Sequence, residues 1–281
     1  MHTPQADELI DLWFREDIGS GDHTTLSTIP ESASGSAKLL VKDKGILAGL
    51  DIALKIFHRF DPDLKVTVFF PDGSRISEGD IVLNVEGKVR SILQSERLVL
   101  NVMQRMSGIA TETARYVKEL EGTSTHVLDT RKTTPGFRYM EKEAVRIGGG
   151  VNHRIGLYDM ILIKDNHIDF AGGIENAIER AHQYLIDKGL KQKIEVEVRN
   201  LEDIERVLAT NKADRILLDN FSLEMTRQAV LLIDGKVESE SSGGITFENL
   251  RSYAECGVDF ISVGALTHQI KSLDLSLKAM F

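Results

Sequence analysis

From residue 125 onward the chain alternates between two patterns. Short apolar, β-branched runs occupy residues 126–128, 160–163, 194–198, 215–218, 236–238 and 260–263. Helix-like stretches over residues 174–188, 201–210, 222–233 and 246–256 separate most of them. Such alternation predicts a parallel sheet, because parallel neighbours require a crossover and the crossover packs as a helix. Six strands are too few for a closed eight-stranded barrel but leave room for one or two more. A doubly wound open sheet is the rival.

The residues after each run favour the barrel. Almost every strand leads into a polar or glycine-rich group: Asp129-Thr130-Arg131-Lys132, Lys164-Asp165-Asn166-His167, Glu197, Asp219-Asn220, Ser241-Ser242-Gly243-Gly244 and Gly264. In a barrel all C-terminal strand ends converge on one face, where barrel enzymes place their chemistry. In an open sheet only the strands at the switch point would meet a ligand.

Residues 1–124 read as mixed α+β. A helix is expected over residues 4–16, then strands over 37–41, 64–70 and 80–89, punctuated by Pro71-Asp72-Gly73 and Glu78-Gly79-Asp80. Two helices follow, over 91–106 and 110–121; Ile92, Leu93, Leu98, Val99, Val102 and Met106 supply the apolar face of the first. The expected organisation is an N-terminal domain over 1–110, onto which a C-terminal segment packs back, and a barrel domain over 111–281.

Charge narrows the partners. Lys and Arg number 34 against 43 Asp and Glu, a net of -9 over 281 residues. That argues against nucleic acid, whose binding needs a cationic surplus. Residues 131–167 nevertheless hold seven Lys or Arg and four acids, a local net of +3 against -12 elsewhere. A cationic basin in an acidic protein suits a small polyanion. Ion pairs on a solvated helix face account for Lys142 and Arg146, beside Glu141 and Glu143. They account less well for Arg131, Lys132 and Lys164, which abut apolar strands. Arginine forks suit carboxylates and phosphates because they bind two oxygens at once.

One cysteine, Cys256, allows no internal disulfide and no Cys-based zinc cluster, and reads as a small core filler. No apolar run approaches the roughly 18 residues of a spanning helix. Asp7, Glu8 and Asp11 stand where a signal peptide would be positive. A cytoplasmic protein with no membrane partner is expected.

Two late loops read as phosphate seats: Ser242-Gly243-Gly244 ahead of a helix, and Val263-Gly264-Ala265 after the last strand. Glycines let backbone N–H groups approach phosphate, and barrels often seat phosphate after their last two strands. Glu197 and Asp219 end consecutive strands and form the best cation-stabilising pair, since Mg²⁺ takes one or two protein carboxylates plus phosphate oxygens. A salt bridge from Glu197 to a nearby lysine fits the spacing equally well. Gly148-Gly149-Gly150 lacks the dinucleotide fingerprint, with no strand leading into it. His153, Asp159, His167 and Asp169 lack zinc spacing.

Longer motifs now stand in order: Glu16-Asp17-Ile18-Gly19-Ser20-Gly21-Asp22, Asp129-Thr130-Arg131-Lys132-Thr133-Thr134-Pro135-Gly136, Gly148-Gly149-Gly150-Val151-Asn152-His153-Arg154 and Leu162-Ile163-Lys164-Asp165-Asn166-His167. Leu217-Leu218-Asp219-Asn220, Ser242-Gly243-Gly244 and Ser262-Val263-Gly264-Ala265-Leu266-Thr267-His268 continue them. Together they closely resemble the quinolinate phosphoribosyltransferases over essentially the whole chain. The resemblance implies an α/β protein: an N-terminal α/β sandwich plus an incomplete TIM-like α/β barrel, the type II phosphoribosyltransferase fold. It also implies transfer of phosphoribosyl from phosphoribosyl pyrophosphate (PRPP) to quinolinate with Mg²⁺, giving nicotinate mononucleotide, pyrophosphate and CO₂ in NAD biosynthesis. The implied assembly is a homodimer with active sites shared across the interface.

By the same resemblance, Arg131, Arg154 and Lys164 bind quinolinate, with Thr130 and His153 beside them, and Arg97 is the arginine lent across the dimer. Lys132 lies near the pyrophosphate, and Glu197 and Asp219 near the ribose and metal, directly or through water. Ser242, Gly243, Gly244, Val263, Gly264, Ala265 and His268 seat the 5′-phosphate. Lys132, Glu197 and Asp219 are the implied catalytic groups. Glu143, where many relatives carry an aromatic, touches none of these roles. Three rivals stand beside this reading: a molybdenum-transport-associated paralogue of the same fold, a Schiff-base aldolase using Lys164, and a non-enzymatic phosphate binder. Retention of Arg97, Arg131, Arg154 and Lys164 argues against the first.

Overall fold

The computed structural model describes residues 3–280, with side chains from residue 6. In chain order the first elements are α1 (Thr3–Ile18), α2 (His23–Thr28), β1 (Ser34–Val41), β2 (Gly45–Ile46), α3 (Leu50–Phe60), β3 (Lys65–Val68), β4 (Arg75–Ile76), β5 (Ile81–Lys88) and α4 (Val89–Glu119). Then come β6 (His126–Leu128), α5 (Arg138–Ile147), β7 (Ile161–Ile163), α6 (Asp165–Ala171), α7 (Ile174–Lys188), β8 (Ile194–Val198) and α8 (Leu201–Thr210). The chain closes with β9 (Arg215–Asp219), α9 (Leu223–Ile233), β10 (Glu238–Ser242), α10 (Phe247–Ala254), β11 (Phe260–Ser262), α11 (Ala265–His268) and β12 (Leu275–Met280). No helix among the described residues is long and apolar enough to cross a membrane. Two compact units result. The first comprises residues up to 114 with 134–149 and 269 onward, and the second comprises 115–133 and 150–268.

The first unit is built on an antiparallel sheet in the order β12-β1-β5-β3. Leu39 of β1 faces Leu83 of β5 on one side and Leu277 of β12 on the other. Alternate residues Ala37, Leu39 and Val41 are buried, the period-two signature of a sheet covered on one face. Helix α3 buries Leu50, Ile52, Ala53, Ile56 and Phe57 on one stripe. No element was expected over residues 50–60, although these apolar residues stand at helical spacing.

The two helices expected over 91–106 and 110–121 are one, α4. Gly108 does not break it. A Cβ there would stand 2.3 Å from the carbonyl oxygen of Lys271. The glycine, costing a helix about 1 kcal/mol, is a packing notch for the chain that leads to β12. Gly148 is a second notch: it caps α5, and a Cβ on it would meet the Ala110 carbonyl oxygen at 2.5 Å.

The second unit holds six parallel strands in the order β6-β11-β10-β9-β8-β7. Successive strands from β7 to β11 step in one direction, and the first strand, β6, pairs with the last. A doubly wound sheet would reverse direction instead. This is the strand order of a barrel that remains open between β6 and β7, and Val151 adds one parallel bridge to Leu128 on the open side of β6. All five residues of β8 are buried, as expected for a parallel sheet covered on both faces.

One strand lies later than expected: the run at 236–238 is replaced by β10 at Glu238–Ser242. The Lys236 N–H closes the end of α9 on Ile233 O, and pairing begins only at Glu238, opposite Arg215. A strand reading Glu-Ser-Glu-Ser-Ser carries no apolar signal, so its neighbours, not its composition, put it in the sheet. Cys256 falls just past α10; it is buried and its thiol donates to Ser252 O at 3.2 Å.

Candidate active site

The C-terminal ends of the parallel strands carry most of the expected site residues. After β6, buried Asp129 receives the His153 backbone N–H on Oδ1 at 2.9 Å. Thr130 Oγ1 accepts the Lys132 N–H at 3.0 Å and folds the turn that presents Arg131 and Lys132. Thr267 Oγ1 donates to Lys132 O at 2.8 Å, fastening this turn to α11. Arg131 is half-buried, and its buried Nε makes no hydrogen bond to any described residue.

Beyond Val151, the Arg154 backbone N–H donates to Nδ1 of His153 at 2.7 Å. Burial holds the Arg154 guanidinium below its ordinary basicity, and the positive charge of Arg131 lowers it further. Two guanidinium groups therefore sit within electrostatic reach of each other, partly out of water. Lys164, at the end of β7, pairs through Nζ with Glu197 Oε2. Its backbone N–H donates to His167 Nδ1 at 2.9 Å, which caps α6. Asp159 accepts the N–H groups of Ile155 and Gly156, and Asp169 pairs with Arg199.

Glu197 is buried near the end of β8, and Asp219 ends the neighbouring β9 half-buried. Asp219 Oδ2 accepts from Asn220 Nδ2 at 2.8 Å, and the Asn220 N–H donates to Ser242 O at 2.9 Å. Gly243 has φ +88°, and a Cβ there would fall 2.3 Å from Asn220 Oδ1, so the turn after β10 admits only glycine. Gly244 O accepts from Asn249 Nδ2 at 3.1 Å at the start of α10. After β11, the buried Val263 donates its N–H to Leu128 O at 2.9 Å, and Ala265 opens α11. A Cβ on Gly264 would meet His268 Nε2 at 2.9 Å and Lys132 Cδ at 3.1 Å. The missing side chain thus lets His268 and Lys132 approach the same glycine.

Beneath these strand ends lies a charged network that the sequence reading missed. Glu195 of β8 and Glu240 of β10 are fully buried, and the His153 side chain is 8 % exposed. His153 Nε2 lies 3.0 Å from Glu195 Oε2 and 3.5 Å from Glu240 Oε2. Arg215 of β9 reaches Glu240 at 2.9 Å and Glu238 at 2.9 Å, and Lys193 completes the chain to Glu238. Burial, then the charge of Glu195, pushes the Glu240 carboxyl up to about 7. Burial also raises Glu195. Both Glu195 oxygens and Glu240 Oε1 have no hydrogen-bond partner among the described residues. The sequence did carry a signal: Glu195 and Glu197 alternate with Ile and Val, so in a buried strand both must share one covered face.

Arg97 is exposed on α4, in the first unit, whereas the other expected site residues all belong to the second. Lys142, expected on a solvated face, is instead 1 % exposed on α5. Its neighbour Glu141 is also buried and pairs with Arg105 at 2.5 Å. Helix α5 turns this face inward, so local charge alternation misreads it. Arg146 does pair with Glu143.

Two family models match the chain. The quinolinate phosphoribosyl transferase N-terminal domain covers residues 22–107, and the C-terminal domain of the same family covers 109–278. The chloroplastic nicotinate-nucleotide pyrophosphorylase [carboxylating] of Arabidopsis thaliana is 44 % identical over 96 % of this chain and 81 % of its own length. The probable nicotinate-nucleotide pyrophosphorylase [carboxylating] of Bacillus subtilis is 41 % identical over 99 % and 94 %. The crystal structure of NadC from Streptococcus pyogenes superposes with a TM-score of 0.93 at 40 % identity, covering 100 % of this chain and 99 % of that one. The chain belongs to the quinolinate phosphoribosyltransferase family.

Proposed function

We propose that the chain performs its family's reaction, quinolinate phosphoribosyl transfer with decarboxylation in NAD biosynthesis, at the C-terminal face of the parallel sheet. One observation carries the placement. Arg131 and Arg154 are half-buried like charges beside each other, and Arg131 keeps a buried N–H without a partner among the described residues. Such an arrangement is costly until an anion enters it. Quinolinate brings two carboxylates, which suit two guanidinium forks and the Lys164 ammonium.

In this reading Thr130 and His153 flank the dicarboxylate, and Arg97 comes from the partner in a homodimer. Lys132 faces the pyrophosphate of PRPP. Ser242, Gly243, Gly244, Val263, Gly264, Ala265 and His268 hold its 5′-phosphate. Glu197 and Asp219 offer hard oxygen donors on adjacent strands, the donor set Mg²⁺ requires, although Lys164 already engages one Glu197 oxygen. Bound there, Mg²⁺ would neutralise pyrophosphate charge. The bond from ribose C1 to pyrophosphate oxygen breaks, and its electron pair leaves with the pyrophosphate beside Lys132. The pyridine nitrogen supplies the pair for the new C1–N bond, while the Glu197 and Asp219 carboxylates face the positive charge that develops on the ribose. The bond from ring C2 to its carboxylate then breaks. CO₂ departs, and the electron pair remaining on C2 takes a proton. Positioning and electrostatics supply the catalysis. A cytoplasmic setting suits these soluble phosphorylated reactants.

The Lys164–Glu197 pair disfavours a Schiff-base role, which needs a neutral lysine. The test is CO₂ release from quinolinate, PRPP and Mg²⁺, with nicotinate as the control substrate. Arg131→Ala and Arg154→Ala should each raise the quinolinate KM about tenfold to a hundredfold, the worth of charge-assisted hydrogen bonds. No CO₂ release by the wild type overturns the activity, and an unmoved quinolinate KM in both variants overturns the site.

A further inference from the structure

His153 occupies an odd position for a residue that touches substrate. Its side chain is 8 % exposed and both ring nitrogens face protein. Nδ1 accepts the Arg154 backbone N–H at 2.7 Å, and Nε2 lies 3.0 Å from Glu195 Oε2 and 3.5 Å from Glu240 Oε2. Its own backbone N–H is held by Asp129 Oδ1 at 2.9 Å. Since Nδ1 accepts, it carries no proton, and the neutral ring bears its proton on Nε2, facing two acidic side chains.

These three side chains could be read as a metal centre, because His153, Glu195 and Glu240 bring ligand atoms within 4.8 Å of one another. The tautomer argues against it. A metal would need the Nε2 lone pair, and that nitrogen carries the proton. Arg215, 2.9 Å from Glu240, already supplies a positive charge at the same carboxylate. The cluster is therefore better matched to holding an imidazole than to holding an ion.

We propose that His153 is a positioning residue that acts through Arg154. Glu195 and Glu240 set the ring from one side, and Nδ1 then fixes the backbone from which the Arg154 side chain departs. The Arg154 guanidinium donates to Met160 O at 3.4 Å, a weak tether by itself. The histidine contact is the firmer constraint on where that guanidinium can reach. The proposal rests on the reading of Arg154 as a quinolinate-binding residue.

Asparagine and glutamine separate the two ends of the ring. Asn places an acceptor near the position of Nδ1, whereas Gln places its amide near Nε2 and leaves the Arg154 N–H without its partner. His153→Gln should raise the quinolinate KM about tenfold, a part of what a misplacement of about 1 Å can cost, with the PRPP KM unmoved. His153→Asn should raise it by less than about threefold. In an Arg154→Ala background, His153→Gln should add nothing to the quinolinate KM, because the residue through which it acts is gone. Equal damage from Asn and Gln, or full additivity with Arg154→Ala, overturns the proposal. If His153→Gln is silent while Arg154→Ala is impaired, the proposal fails and the Arg154 assignment stands. If Arg154→Ala is silent, the assignment fails and takes the proposal with it. A measurement on the wild type needs no variant to fold: ¹⁵N spectra of labelled histidine should show the Nε2–H tautomer before and after quinolinate is added. A change of protonation on binding overturns the proposal.

Discussion

In the antiparallel sheet, the buried residues of β1 and β5 are Ala37, Leu39, Val41, Val82, Leu83 and Val85. In the parallel sheet, the residues buried alongside Val196, Ile216 and Leu218 include Glu195, Glu197, Arg215 and Glu240. Strand β1 buries alternate residues whereas β8 is buried on both faces, and one face of the parallel sheet holds the charges. Apolar contact stabilises the first without regard to direction. The charged face of the second is stable only while every partner remains, because burying an unpaired charge costs far more than a lost contact. It forms a charged floor under the strand ends that lead to Arg131 and Lys164. A sheet that only had to be stable could have used leucine there.

The largest effect should come from Arg215→Ala. It leaves Glu240 and Glu238 without their shared cation, and breaking a buried pair in this way costs about 3–5 kcal/mol. Urea unfolding should show the loss, and turnover of the remaining folded enzyme should fall with it, since Glu240 faces His153. A stable, fully active variant would mean the floor is not a coupled unit. Leu83→Ala is the matching cut in the apolar sheet. Removing this fully buried side chain should cost about 2–5 kcal/mol, depending on how far Leu39 and its neighbours relax into the cavity. Here kcat and both KM values of the folded protein should stay as they were. Kinetics that change with Leu83 would erase the contrast between the sheets.

The same contrast decides what was legible in the sequence. Strands β8 and β9 announce themselves by Ile, Val and Leu, and the cations at Arg131, Lys132 and Lys164 stand out because they abut apolar strands, whereas Arg154 is marked only by the family motif around it. Strand β10 has no such signal and was placed too early. Alternation shows which residues share a face but not which face is covered. Glu195, Arg215 and Glu240 therefore look like solvent-facing charges until their neighbours on both sides are known. Lys142 is misread for the same reason on a helix. Gly108 misleads in the opposite sense, since a notch for a passing chain and a helix break use the same residue.

Titration gives the subtlest test, because two glutamates should shift stability in opposite directions. Glu240 has its pKa raised from 4.5 to about 7 by burial and then by Glu195, so the folded state holds a proton that the unfolded chain releases earlier. Its contribution is fully present below about 4.5 and is lost as pH rises toward about 7. Glu175, on the exposed end of α7, is lowered to about 2 by its hydrogen bonds to Arg206, at 2.7 and 2.8 Å. Its contribution is present above 4.5 and is lost as pH falls toward about 2. Salt separates them. At about 1 M salt the Debye length shrinks to about 3 Å, which screens an exposed pair far more than a buried one. Denaturation midpoints measured against pH should therefore keep the descending limb between 4.5 and 7 in high salt and lose the weaker acid limb. Glu240→Gln should flatten the first limb and leave the second. If salt flattened both limbs alike, Glu240 would be as open to ions as Glu175, and the buried floor would not be dry.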